Sequence, residues 1–201
     1  TVELRYDPNA PESPCYPTAD GLSPSPWKNT SPFKIDWINP STDIKGAWYK
    51  LGSPPPSNTD GMFAGTGTKY FNLMVAQQGI QPLYLWLEDT HGNVNYSTYV
   101  TVYLRYDSSP PAAPKNLTAD GYSPSPWKNT PTFSIGWTDP ADTSGIKGAW
   151  YKIGSPPTSN TDGTFAGTGT KPFNVNATQE VGQDLYVWLE DNTGNINYTN
   201  R

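Results

Sequence analysis

The chain has 201 residues, among them 22 prolines, 18 glycines, 8 tryptophans and 13 tyrosines, and a net charge of −5. That composition suits short strands and turns rather than helices, and the length allows one large domain or two of about 100 residues. No Lys/Arg cluster could follow a phosphate backbone, so nucleic acid is not an expected partner, and no apolar run approaches the length of a membrane span.

The chain opens with "TVELRYD" (Thr1–Asp7), a period-two pattern that places Val2, Leu4 and Tyr6 on one face. A hundred residues later the same word returns as "TVYLRYD" (Thr101–Asp107). Beginning at Thr1 rather than Met, the chain reads as a processed product or a piece of something longer. Next comes a proline-rich joint, "YDPNAPESP", matched later by "YDSSPPAAP", and both read as stiff connectors. The single cysteine, Cys15, rules out an internal disulfide, and its counterpart in the second half is Lys115. It reads as a free thiol or a bridge to another chain.

The rest of the chain is written twice. "TADGLSPSPWKNT" (Thr18–Thr30) recurs as "TADGYSPSPWKNT" (Thr118–Thr130), and "IKGAWYKLGSPPPSNTDGMFAGTGTK" (Ile44–Lys69) recurs from Ile146 to Lys171 with few changes. "LYLWLEDTHGN" (Leu83–Asn93) recurs as "LYVWLEDNTGN" (Leu185–Asn195). The offset is 100 residues before the first shared IKG and 102 after it, because "NPSTDIKG" becomes "DPADTSGIKG". Within each copy the hydrophobic period is two: Phe133, Ile135 and Trp137 share a face, as do Leu185, Val187 and Leu189. Prolines, glycines and Asn/Asp between these runs supply the turns. Short alternating strands in a unit of about 100 residues describe a two-sheet sandwich.

The pattern "NLTADG … FSIGW … SGIKGAWYKIG … LYVWLEDNTGN" resembles a fibronectin type III or bacterial Ig-like module, over nearly the whole chain. The resemblance implies all-β, Greek-key sandwiches of seven strands, of the kind used in spacers, adhesins and filaments. It does not imply an activity, since this architecture hosts many functions. The expected organisation is a strand segment at 1–7, a first sandwich at 8–107 and a second at 108–201.

The second copy stops at "NYTNR", where the first runs on through "NYSTYVTVYLRYD", so its last strand is absent. The expected remedy is a "TVELRYD" strand, anchored by Val2, Leu4 and Tyr6. Either a neighbouring molecule supplies it by donor-strand complementation, or the next repeat of a longer covalent array does. Both predict copies of the chain joined head-to-tail, as a heterologous contact propagates when it does not close.

Catalytic chemistry is not expected. His91 is the only histidine and is Thr193 in the second copy, while Glu88–Asp89 and Glu190–Asp191 are adjacent in strands and point to opposite faces. "GTGTK" lacks the spacing of a phosphate loop. No cofactor is expected, with one option: Asp139 and Asp142 in "DPADTSG" offer oxygen ligands for calcium. If the third, sixth and seventh strands share a sheet, Trp48, Tyr84, Trp86 and Tyr103 line its outer face, and Trp150, Tyr186 and Trp188 repeat this in the second copy. Two readings of that stripe stay open: a platform on which glycans stack, as in a tandem carbohydrate-binding module of a secreted enzyme, or a face covered by proline-rich loops such as "SPSPW", with Trp27 and Trp127 as lids. Sequons stand at Asn29, Asn95, Asn116, Asn176 and Asn197. The expected role is a structural repeat of an extracellular or cell-surface filament, stalk or adhesin.

Overall fold

The computed structural model describes residues 1–201, which divide into a unit Thr1–Tyr106 and a unit Asp107–Arg201. Both are built of β-strands alone, apart from one 3-10 turn at Tyr96–Thr98. In the first unit the strands are β1 (Cys15–Ala19), β2 (Trp27–Lys28), β3 (Phe33–Ile38), β4 (Ile44–Leu51), β5 (Met62–Phe63), β6 (Tyr70–Leu73), β7 (Gly79–Asp89) and β8 (Val100–Tyr106). The second unit has β9 (Lys115–Ala119), β10 (Thr132–Thr138), β11 (Ile146–Ile153), β12 (Thr164–Thr168), β13 (Phe173–Asn176) and β14 (Leu185–Asp191).

In the first unit a three-stranded sheet in the order β1-β3-β6 faces a five-stranded one in the order β2-β8-β7-β4-β5. Alternation along the strands puts one row from each sheet between them: Phe33 and Ile35 from β3, Leu83 from β7, and Val102 and Leu104 from β8, all fully buried together with Ala19 and Val75. A second cluster, Trp37, Ile44, Ala47, Leu85 and Leu87, continues the core. This is the two-sheet sandwich that the period of two implies, of the Ig-like, fibronectin III-like kind that the resemblance implies.

The second unit repeats the plan with β13-β10-β9 in one sheet and β12-β11-β14 in the other. Its core holds Ile135, Trp137, Ala149, Phe173, Val175, Val187 and Leu189. Registers are carried over residue for residue, with Trp150 opposite Trp188 as Trp48 is opposite Trp86. One close approach explains a shared glycine. A Cβ on Gly148 would meet the Gly167 carbonyl oxygen at 2.5 Å, so strands β11 and β12 approach this closely only because no side chain is there.

Candidate functional site

The two units differ most beside β7 and β14. In the first, β8 lies antiparallel to β7, pairing Leu83 with Val102 and Leu85 with Val100. In the second, β14 is an edge strand, and its ladder begins at Leu185, whereas β7 is paired from Gly79 onward. The consequence reaches the core. Ala19, Phe33 and Leu83 are fully buried, but their counterparts Ala119, Phe133 and Leu185 are only half-buried. The strip that Val102 and Leu104 cover in the first unit is thus partly wet in the second. Meanwhile residues 1–14 form no strand, and Val2, Leu4 and Tyr6 are 88%, 92% and 89% exposed. An apolar row with no cover and a sheet edge with no neighbour therefore occur in the same chain.

The aromatic stripe requires a correction. β4, β7 and β8 do share a sheet, but Trp86 and Trp188 are fully buried rather than displayed. The segment over them is not "SPSPW" but "SPPPSNTDG" and its copy. The Trp86 indole Nε1 donates to the Asn58 carbonyl at 3.0 Å, and Trp188 to that of Asn160 at 2.9 Å. Asp162 fastens this loop to Lys152 at 2.8 Å. The Lys152 ammonium, with the Thr158 amide and hydroxyl, holds the Asp162 carboxyl at a pKa of about 2. Trp48 and Trp150 are half-buried, with their indole N–H groups given to Glu88 and Glu190 at 2.8 Å. Tyr84 and Tyr186 are half-buried, and Tyr103 alone is exposed. A continuous stacking platform for sugar rings is not what these residues make.

The acidic residues also regroup. Asp139 is engaged by the Trp137 indole N–H at 2.7 Å and by Lys171 at 2.9 Å, and the carboxylates that gather round Asp142 are Asp107 and Asp191. The first unit gathers Asp7, Asp43, Asp89 and His91 in the same way. These are the residues that could hold a hard divalent cation. Their oxygens already receive protein donors. Asp191 accepts from the amides of Thr193 and Asn195, each at 2.8 Å, and Asp107 accepts from the Ser144 amide at 2.9 Å. Burial, then the charges of Asp107 and Asp191, push the Asp142 carboxyl up. At Asp89 burial acts in the same upward direction, but hydrogen bonds from Asn93 and His91 outweigh it and hold the pKa below normal.

These clusters explain a motif that the two copies share, D-x-x-G-N at Asp89–Asn93 and Asp191–Asn195. Asn93 donates from its side chain to the Asp7 carbonyl at 2.9 Å, and Asn195 to that of Asp107 at 2.9 Å. In both units the asparagine grips the residue that follows the "LRY" word. As letters the motif shows only turn residues and not this reach; the shared "RYD" ahead of each module is the available signal. Among the sequons, Asn116 and Asn176 are exposed and Asn29, Asn95 and Asn197 half-buried. Cys15 is a half-buried free thiol.

No protein-family model and no curated sequence matches the chain. Solved structures similar to it include the fibronectin(III)-like modules of Clostridium thermocellum CbhA, at 13% identity and a TM-score of 0.40 over 94% of this chain and 85% of that one. A two-domain fibronectin type III segment of chicken tenascin is similar at 15% identity and a TM-score of 0.35, over 88% of this chain and 90% of that one.

Proposed function

We propose that the chain is a non-enzymatic structural repeat of an extracellular filament, stalk or adhesin, joined head-to-tail through a strand of the "TVELRYD" type laid on β14. The observation that carries this reading is the unpaired edge of β14, set beside the β7–β8 pairing of the first unit. Backbone N–H and C=O groups along such an edge, with a half-covered core behind it, are satisfied best by one more strand. The strand that does this in the first unit differs from residues 1–7 at one position, Tyr103 against Glu3. Strand exchange between chains and covalent continuation into a further repeat meet the same need. The mild charge and abundant hydroxyl and amide side chains suit exposure outside a cell.

The test is particle mass of the natural material before and after denaturation, with reductant present. Large particles that fall to the mass of single chains would mean strand exchange, and particles that stay large would mean a covalent array. A single-chain mass throughout would refute the head-to-tail reading.

A further inference from the structure

The last strand of the first unit has a neighbour on each side, and the second of these is a segment that no motif in the sequence marks as a partner. In the first unit β8 is flanked by β7 on one side and, in parallel, by β2 on the other, with Trp27 beside Arg105 and Lys28 beside Tyr106. Just before β2, Ser25 acts as a two-handed clamp on β8. Its amide donates to the Tyr103 carbonyl at 2.9 Å, and its hydroxyl accepts from the Arg105 amide at 2.9 Å. Ser25 is buried at 1% exposure, and Trp27 is half-buried.

The second unit carries the same six residues, "SPSPWK", from Ser123 to Lys128. They are anchored as in the first. Lys128 reaches Asp120 at 2.8 Å and the Thr132 carbonyl at 2.5 Å, as Lys28 reaches Asp20 at 3.0 Å and the Pro32 carbonyl at 2.9 Å. Yet Ser125 is no longer buried, and Trp127 is 85% exposed. The segment is anchored without anything to grip, and what its copy grips in the first unit is a strand that differs from residues 1–6 only at Tyr103, where residue 3 is Glu3.

We infer that Ser123–Lys128 is a latch, and that residues Thr1–Tyr6 of a second copy of this chain thread between it and β14. The inference rests on the head-to-tail reading above and names its partner and register. Carrying the β7–β8 register across the 102-residue offset sets Val2 opposite Leu185 and Leu4 opposite Gln183. The Ser125 amide then donates to the Glu3 carbonyl, its hydroxyl accepts from the Arg5 amide, and Trp127 closes beside Arg5. The strand is held by main-chain bonds on both sides, which an edge alone cannot provide.

The experiment uses the whole chain carrying Val2→Asp and Leu4→Asp as the receptor. Both sites are exposed, so the substitutions leave the fold intact while disabling the receptor's own strand. The probe is the synthetic peptide TVELRYDPNA, with Trp127→Phe identifying the tryptophan signal. Docking is expected to shift the emission of the receptor to the blue, with the shift absent from Trp127→Phe. N-methylating the Arg5 amide of the peptide is expected to weaken binding at least about fivefold, since one hydrogen bond is lost. Binding that is indifferent to this methyl group, with no change at Trp127, would overturn the latch and leave edge pairing standing. No binding of the unmodified peptide would overturn strand docking itself. If the peptide binds but the unsubstituted chain shows no concentration-dependent association, the occupant is not a second copy.

Discussion

Gly61 and Gly163 are small residues with a large neighbour. A Cβ on Gly61 would stand 2.5 Å from the Trp86 ring atom Cη2 and 2.7 Å from the Tyr49 carbonyl oxygen; on Gly163 the same contacts, to Trp188 and Tyr151, are 2.5 and 2.6 Å. The loop lies flat on the indole only because glycine ends it, and neither the ring nor the backbone can retreat. Gly61→Ala is therefore expected to destabilise the first unit by about 1–3 kcal/mol through overpacking. The check is the urea midpoint followed by tryptophan emission, and an unchanged midpoint would show that the loop does not roof the ring. Strand alternation places Trp86 on the face opposite Leu85 and Leu87, and that much is legible. The lid was not, because the Asn58 carbonyl that takes its N–H lies 28 residues away in a segment whose letters read only as a turn.

Among the elements, β8 and its likeness at the N-terminus make a controlled comparison. Leu104 is fully buried in the core of the first unit, and Leu4, the same letter in the same word, is 92% exposed. Leu104→Ala should cost about 2–5 kcal/mol of stability. In the unassociated chain Leu4→Ala should change stability by less than about 0.5 kcal/mol, as a surface substitution does. Equilibrium unfolding at low concentration compares the two, and equal losses would mean that residues 1–7 pack somewhere on the free chain. The strand character of both segments is legible because a period of two is local. Which of them finds a partner is not, because it depends on which module lies close enough to receive it.

At the scale of the whole molecule, two units of nearly one sequence carry unequal cores. The second has no counterpart of Val102 and Leu104, two side chains whose burial contributes about 1.5–3 kcal/mol each, and its Leu185, Phe133 and Ala119 stay half-wet. In the chain with Val2→Asp and Leu4→Asp, calorimetry is expected to resolve two transitions, with the second unit melting first. A single transition for both would contradict the unequal cover seen at β14.

The repeat, the β-strands, the turns and the likeness of "TVELRYD" to "TVYLRYD" are all determined by the sequence alone. Each rests on local regularities: a period of two, turn residues, and a comparison of letters. Tertiary structure alone decided the rest: that Trp86 and Trp188 are roofed over, that Asp142 meets Asp107 and Asp191 rather than Asp139, and that "SPSPWK" of the first unit flanks β8. Each of those brings together residues remote in the chain, and no spacing of letters specifies which loops close over which edge.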